Sequence, residues 1–318
     1  MAQHFLYSAK ARSLSLAQIF RLSDDAAYAM LRGFRWEGGK PVCPHCGHTE
    51  AYDLTTRRIF KCKAKACRRQ FSVTSGTIFA SRKLAIRDYL AAIAIFVNGA
   101  KGVSALQLGR DLNVSYKTAF VLAHKLREAM ASSQDGVYLS GVVEVDGSYY
   151  GGYIRPANHK KDRIDQRYAA NRPVRKSVIV ARERDGRTLT DVFPNETSAT
   201  PFLRARIDEG TTVHTDMAQT WDRLRDNFRL RQVNHTLSYS ANGACTNQAE
   251  SFFSRLRRAE FGTHHYISGP YLNRYAAEMA WREDNRREDN GGQFSRVASL
   301  AIAAPKSATF TGYWQRAA

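Results

Sequence analysis

The chain carries one apolar, β-branched run bounded by glycines, Gly141-Val142-Val143-Glu144-Val145-Asp146-Gly147-Ser148-Tyr149-Tyr150-Gly151-Gly152. Such a run predicts a buried β-strand, with one carboxylate, Asp146, at the point where the apolar residues give out. A carboxylate is costly to bury unless something cationic receives it. The strand therefore marks a candidate site for a cationic ligand.

Two further acids occupy comparable places in the sequence. A second short β-prone run, Thr211–Thr215, ends at Asp216, and a helical pattern over Asn247–Arg258 carries Glu250. Carboxylate oxygens are the hard ligands that Mg²⁺ and Mn²⁺ prefer in proteins. Asp146, Asp216 and Glu250 therefore predict a pocket for divalent metal ions.

The pattern between residues 138 and 285 indicates an α/β domain. Its predicted elements are strand Val142–Tyr150, a basic polar loop Arg155–Lys176, strand Ser177–Arg184, a turn at Asp185-Gly186, strand Thr188–Phe193, helix Thr200–Asp208, strand Thr211–Thr215, helix Met217–Asn227, a short strand near Gln232–His235 and helix Asn247–Arg258. Three meandering strands followed by alternating helices and strands are also the order of a ribonuclease-H-like fold. In that fold the first and fourth strands are neighbours, which would bring Asp146 and Asp216 together.

This set of acids suits phosphodiester chemistry. In-line attack on a phosphodiester is helped by two Mg²⁺ ions about 4 Å apart. We expect Asp146 to bridge the ions, with Asp216 and Glu250 each completing one site. Arg257 lies seven residues after Glu250 and shares its helix face, so we expect it to reach a phosphate of bound DNA. Two neighbouring arginines, Arg255 and Arg258, are candidate DNA contacts alongside it.

The charge balance also favours a nucleic-acid partner. The 318 residues include 48 Lys and Arg against 29 Asp and Glu, a formal net charge of +19. Such an excess favours a polyanion, and DNA is the first candidate. No stretch approaches the roughly 18 consecutive apolar residues of a membrane span, and no secretory signal precedes the chain's first helix. We expect a cytoplasmic, nucleoid-associated protein.

Residues 37–79 carry four cysteines in two pairs, Cys43 with Cys46 and Cys62 with Cys67. Four thiolates suit a closed, tetrahedral structural Zn²⁺ site, so we predict a zinc ribbon. His45 and His48 lie beside the first pair and are competing candidate ligands. Basic residues around the second pair are consistent with phosphate contacts, although a solvated loop has the same composition.

Residues 80–135 have the pattern of a helix-turn-helix. Ser104 caps a first helix, Asn113 suits the tight turn, and Ser115 caps a second helix that runs to about Met130. In such motifs the first turn of the second helix enters the major groove of DNA. The predicted reading residues are therefore Tyr116, Lys117 and Thr118.

The two ends of the chain are predicted to be accessory. Residues 1–36 form a helical lead-in, with Ser23 as a cap and Asp24 and Asp25 in the first turn of a helix. Residues 286–318 are predicted to be a tail that follows a linker. Its aromatic residues, Phe310, Tyr313 and Trp314, are expected to dock on the catalytic domain or on a partner subunit.

A set of local motifs runs through about nine tenths of the chain in one order. They are Arg35-Trp36 before Cys43-Pro44-His45-Cys46-Gly47, Arg69-Gln70-Phe71-Ser72-Val73-Thr74-Ser75-Gly76-Thr77-Ile78-Phe79, Ser115-Tyr116-Lys117-Thr118-Ala119, Val145-Asp146, His214-Thr215-Asp216, Asn247-Gln248-Ala249-Glu250-Ser251-Phe252-Phe253-Ser254, Gly262-Thr263-His264-His265, and Arg274-Tyr275 through Asn285-Arg286-Arg287. In these motifs the chain resembles bacterial insertion-sequence transposases of the DDE class, from the zinc-ribbon group with an ISXO2-like transposase domain.

The resemblance implies a metal-dependent transposase that cuts and joins double-stranded DNA at element ends and target, and that works as a dimer or larger assembly on DNA. The chain departs from the family pattern at Gly147, where Glu is usual, and at Arg257, where Lys is usual. Some members have Asn at the third catalytic position, so Asn247 and Glu250 are rivals; we favour Glu250. Two other functions stay open, a non-catalytic DNA-binding repressor and a structure-selective nuclease.

Overall fold

The computed structural model describes residues 5–151, 159–163, 175–235, 237–238, 240 and 243–313. The chain divides into two compact units, Met1–Ser133 with Asn285–Ala318, and Gln134–Asp284. Most of the predicted polar loop at 155–176 lies outside the described residues. None of the described helices has the length and apolar character that crossing a membrane requires.

The first unit begins with two capped helices, α1 (Leu16–Phe20) and α2 (Asp24–Arg35). The side chain of Ser23 caps α2, and Asp24 and Asp25 lie in its first turn, as predicted from the sequence. Negative charge at the N-terminus of a helix interacts favourably with the helix dipole and so stabilises the helix.

A small three-stranded sheet follows α2. Trp36 packs edge-on against Phe60 and Phe71, with ring centroids 5.3 and 6.3 Å away, and these aromatic side chains form the core of the sheet. The strands pair antiparallel in chain order and are β1 (Ala51–Leu54), β2 (Ile59–Cys62) and β3 (Gln70–Ser72).

Three helices complete this part of the unit, α3 (Ile86–Asn98), α4 (Ala105–Asp111) and α5 (Tyr116–Ala131). Asn113 takes the left-handed conformation, with φ of 51°, in the turn between α4 and α5. Ser104 and Ser115 cap the two helices through their side chains. A Cβ atom at Gly109 would lie 3.2 Å from the carbonyl oxygen of Val114, so a glycine allows the close turn. These observations confirm the predicted pair of helices.

The C-terminal segment is a helix where the sequence analysis predicts a linker and tail, and that prediction is wrong. Helix α9 (Asn290–Ala303) packs against α2, α3 and α5 of the same unit. The carboxylate of Asp289 accepts hydrogen bonds from the N–H groups of Gly291 and Gly292, which begins the helix despite the two glycines. The residues of α9 that become buried recur at helical spacing and are Phe294, Val297, Ala298, Ala301 and Ile302.

The aromatic residues after α9 also differ from the prediction. Phe310 is buried and stacks on His124, with Phe120 beside it, so it packs on α5 of its own unit. Tyr313 contacts Phe120 and Phe310 in the same cluster. Trp314 lies outside the described residues. The apolar spacing of α5 explains the difference, because α5 buries one face against the segment that follows α9.

The second unit is built on a five-stranded sheet in the order β6-β5-β4-β7-β8. The first three strands form an antiparallel meander, while β4 with β7 and β7 with β8 pair in parallel. This order is the ribonuclease-H-like arrangement predicted from the sequence, with the first and fourth strands of the unit side by side. The strands are β4 (Val142–Tyr150), β5 (Lys176–Glu183), β6 (Thr188–Phe193), β7 (Thr212–Asp216) and β8 (Arg229–Val233).

Helices cover both faces of this sheet. Side chains alternate along β4. Val143 and Val145 lie on the face that packs on α6 (Thr200–Arg206), and Tyr150 lies on the opposite face. Because alternate residues of a strand share a face, Glu144 and Asp146 are on the same side as Tyr150. The helices on that side are α7 (Asn247–Ala259) and α8 (Leu272–Asp284).

One predicted helix of this unit, Met217–Asn227, is absent, and its place is taken by a short 3₁₀ segment, Gln219–Leu224. The buried residues of the segment are Trp221 and Leu224, which are three positions apart. That spacing matches the three residues per turn of a 3₁₀-helix and leaves no apolar stripe for a longer α-helix.

Candidate active site

The four predicted zinc ligands form one tight group. Among the described residues, the Sγ atoms of Cys43, Cys46, Cys62 and Cys67 are the set of candidate ligand atoms that all lie within 4.8 Å of one another. Burial raises the pKa of the Cys62 thiol to about 12. The donor set fits a tetrahedral Zn²⁺ site, and the four-cysteine ribbon supports Zn²⁺ as a cofactor. The competing ligands, His45 and His48, are not members of this group.

The sheet register brings Asp146 and Asp216 just beyond the same end of the paired segments of two neighbouring parallel strands. Glu144 of β4 is paired with His214 of β7, and these two strands run parallel. Two residues further along each strand are Asp146 and Asp216. The Oδ1 atom of Asp146 accepts a hydrogen bond of 2.7 Å from the N–H of Gly147, and Oδ1 of Asp216 accepts one of 3.2 Å from Ala218.

Negative charge accumulates around Asp146. Burial raises the pKa of its carboxyl to about 7, while the Gly147 hydrogen bond opposes the shift. The charges of Asp216, Glu196 and Glu250 raise that pKa further. Several carboxylates are therefore close enough to repel one another, and a divalent cation is the species that relieves such repulsion. The donor set, all carboxylate oxygens, fits Mg²⁺ or Mn²⁺.

The acids are spread more widely than the thiols, because no set of three described acids has its ligand atoms within 4.8 Å. Glu250 lies in the first turn of α7, where its Oε1 accepts a hydrogen bond of 3.2 Å from Thr246 Oγ1. The Nε2 atom of His235 lies 3.2 Å from the same oxygen. Asn247, the rival ligand, is exposed at the first position of the helix.

The three arginines of α7 have different surroundings. The Nη2 atom of Arg257 donates a hydrogen bond of 2.8 Å to Ser148 Oγ, on the same strand face as Asp146. Arg255 forms an ion pair with the buried carboxylate of Glu283, which gives it a structural partner. Arg258 is exposed. Their contacts with DNA stay predictions.

The predicted reading residues of the helix-turn-helix are all exposed in the first turn of α5. The Tyr116 side chain is 55% exposed and packs beside Phe120 at a centroid distance of 6.0 Å. Thr118 shares a hydrogen bond of 3.0 Å with the capping hydroxyl of Ser115. This exposure is what major-groove reading requires, and the DNA contact itself stays a prediction.

Sequence reasoning missed Glu144, whose side chain connects β4 to the first turn of α7. Its side chain is fully buried, and its Oε2 accepts hydrogen bonds of 2.7 and 3.2 Å from the N–H groups of Gln248 and Ala249. The Nε atom of Arg184 lies 3.2 Å from its Oε1. One signal was available, since a second acid two residues before Asp146 faces the same side of the strand.

Comparisons with known proteins agree with this architecture. Residues 138–284 match the family described as the ISXO2-like transposase domain, and residues 22–70 match the transposase zinc-ribbon domain. The chain is 25% identical over 293 residues to an uncharacterised protein in transposable element ISH50 of Halobacterium salinarum, covering 88% of this chain and 98% of the relative.

A solved structure, that of the Mos1 strand transfer complex, is similar at 12% identity and a TM-score of 0.25, covering 67% of this chain and 78% of that chain. That likeness is too distant to support an inference. The two family matches follow the order of ribbon and α/β unit along the chain. The chain therefore carries a transposase zinc-ribbon domain followed by an ISXO2-like transposase domain.

Proposed function

We propose that the chain is a DNA transposase that binds the terminal inverted repeats of an insertion sequence and catalyses metal-dependent cleavage and strand transfer. The two transposase domain matches support this function in general terms. The observation that supports the chemistry most directly is the crowding of Asp216 and Glu250 around Asp146, whose pKa is raised to about 7 by burial first and by those charges next.

Each acid has a defined part in the reaction. Asp146 would contact both metal ions, while Asp216 and Glu250 would each complete one site. When bound, the ions stabilise the charges that develop on the attacking and leaving oxygens of an in-line displacement. The placement of Asp146 and Asp216 just beyond the paired residues of two adjacent parallel strands supports this sharing, because strands hold side chains more rigidly than loops do.

Arg257 would orient the phosphate. A guanidinium has five N–H donors, so the one bond from Arg257 to Ser148 leaves others able to reach a phosphate oxygen. The Ser148 contact fixes the direction of the side chain along the strand that carries Asp146. Arg257 would thus hold the scissile phosphate toward the acids.

The reaction would proceed in two displacements at phosphorus, and neither forms a covalent bond between protein and DNA. In the first step, water adds to the phosphorus at the element end, and the bond to the element's 3′-oxygen breaks to release a 3′-hydroxyl. In the second step, that hydroxyl attacks a target phosphate, and the target's own 3′-oxygen leaves as a hydroxyl. Both steps are in-line displacements at phosphorus, so one pocket serves both.

The N-terminal elements would supply recognition. The basic ribbon and the exposed first turn of α5, with Tyr116, Lys117 and Thr118, would bind the terminal repeats. Arg255 and Arg258 would add contacts along the DNA near the pocket, although Arg255 must exchange its Glu283 partner to do so. Because two element ends are joined in concert, we expect at least a dimer on DNA. We expect it to act in the cytoplasm, on the nucleoid.

The experiment that tests this function compares two labelled duplexes in Mg²⁺ or Mn²⁺, one with the repeats of the element that encodes the chain and one with the same bases scrambled. We expect cleavage at the end of the repeat duplex only, followed by joining to a target. Equal cleavage of both duplexes would instead indicate a structure-selective nuclease. Specific binding without any cleavage would indicate a repressor.

A further inference from the structure

A fourth carboxylate, Glu196, lies close enough to Asp146 and Asp216 for their charges to interact. It belongs to a short 3₁₀ turn, Glu196–Ala199, between β6 and α6. The side chain of Asn195 caps this turn by accepting a hydrogen bond of 3.0 Å from the N–H of Ser198. The cap fixes the backbone from which Glu196 extends, so the carboxylate starts from a defined position.

The glycine after Asp146 provides the space for this side chain. A Cβ atom built on Gly147 would lie 2.7 Å from Cγ and 2.8 Å from Oε1 of Glu196. Real Cβ atoms essentially never approach other atoms so closely, so any side chain at position 147 would displace Glu196. Gly147 does not have a positive φ, so its backbone conformation alone does not require glycine. Gly147 therefore leaves room for the Glu196 side chain to lie against β4.

The charges agree with this placement. Burial raises the pKa of Glu196, and the charge of Asp216 raises it further. Within the described residues, no ion pair with a Lys, Arg or His neutralises Glu196, Asp146 or Asp216. Partly buried carboxylates without a cation are unfavourable, and a bound divalent ion removes that cost.

We propose that Glu196 is a further metal-binding residue of the pocket, because its carboxylate lies against Gly147, the residue that follows Asp146 on β4. This inference rests on the proposed function, because it assumes that the pocket holds Mg²⁺ or Mn²⁺. It deepens that function by adding a ligand from the turn before α6 to those from two strands and a helix. Carboxylate oxygens from four separate elements then surround the ion sites.

The test measures Mn²⁺ binding to the zinc-loaded, full-length protein without DNA, by electron paramagnetic resonance of free Mn²⁺. We expect Glu196→Gln to weaken Mn²⁺ binding about tenfold. Glu196→Asp keeps the charge but shortens the reach, so it weakens binding as well if the carboxylate touches the ion. Glu209→Gln removes the same charge from an exposed position of the same unit and should bind Mn²⁺ like wild type.

Gly147→Ala gives a second, independent variant. It retains every carboxylate but takes the space that Glu196 occupies, and we expect weaker Mn²⁺ binding. The Tm of each variant in the absence of Mn²⁺ checks that the protein is folded. Wild-type affinity in Glu196→Gln, combined with loss in Asp146→Asn, overturns the role of Glu196 and leaves the proposed function standing. If wild type binds no more Mn²⁺ than Asp146→Asn does, both the role of Glu196 and the proposed function are overturned.

Discussion

The backbone N–H of Gln248 donates a hydrogen bond of 2.7 Å to Oε2 of Glu144, and this bond joins the first turn of α7 to the third residue of β4. Asp146 lies two residues beyond Glu144 on the strand, and Glu250 lies two residues beyond Gln248 on the helix. The bond therefore sets the separation of two of the predicted metal-binding acids. A carboxylate at a helix N-terminus is stabilised both by the N–H groups and by the helix dipole.

Replacing Glu144 tests this link. We expect Glu144→Ala to lower the free energy of unfolding by about 2 kcal/mol, because bonds from two N–H groups to a charged, buried acceptor are lost. Cleavage should fall as well, since Glu250 loses its fixed position. Chemical denaturation and the repeat-duplex assay measure the two effects, with Glu209→Ala as the exposed control. Unchanged stability and cleavage would show that α7 is held by its apolar face alone.

The raised pKa of Asp146 predicts a pH dependence of stability in the protein without Mg²⁺. The pKa is about 7 in the folded protein and 3.8 is its ordinary value, so between these pH values the folded state binds a proton that the unfolded state does not. Stability therefore falls as pH rises through this window. We expect the free energy of unfolding of Asp146→Asn to fall less than that of wild type between pH 5 and pH 8. Urea denaturation at several pH values measures this. If the unfolding free energy of the variant depends on pH as steeply as that of wild type, other titratable groups cause the effect.

The zinc ribbon predicts a metal dependence of DNA binding that is separate from catalysis. Cys62→Ser removes one of four thiolates, and we expect loss of bound zinc and of repeat-specific DNA binding, because a ribbon this small folds around its metal. Cys245→Ser is the matched control, since Cys245 lies outside the four-cysteine group. Zinc content and fluorescence anisotropy on the repeat duplex measure both properties. Full repeat binding by a zinc-free Cys62→Ser protein would exclude the ribbon from recognition.

Lys117 is predicted to contact DNA from the start of α5. If it neutralises one phosphate, Lys117→Ala should reduce the slope of log affinity against log salt by about one. Anisotropy titrations at several KCl concentrations give this slope, with the exposed Lys10→Ala as the control. A wild-type slope in Lys117→Ala would place the phosphate contacts elsewhere.

The elements that carry the site were predictable from local patterns. The apolar run ending at Asp146 and the shorter run ending at Asp216 are strands because their β-branched residues alternate across a covered sheet. Their position side by side followed from the ribonuclease-H-like order of strands and helices, and the structure pairs them in parallel. The Asn247–Arg258 pattern also matches α7 within one residue.

The contacts that complete the site were not predictable in this way. Glu196 meets Gly147, and Glu144 meets Gln248, across long stretches of chain that no local spacing reveals. Helix α9 was missed because Gly291 and Gly292 have low helix propensity, and only tertiary packing of its apolar face offsets that cost. Local propensity is a weak guide wherever long-range contacts decide the outcome.

The most direct measurement is cleavage of the labelled repeat duplex in Mg²⁺ by wild type and by Asp146→Asn, with DNA binding followed in the same samples. We expect wild type to nick the element end and leave a 3′-hydroxyl, and Asp146→Asn to bind equally but cut about a thousandfold more slowly, because several kcal/mol of transition-state stabilisation is lost. Equal cleavage by both proteins, or binding by both without cleavage even when two ends are present, would contradict a catalytic pocket centred on Asp146.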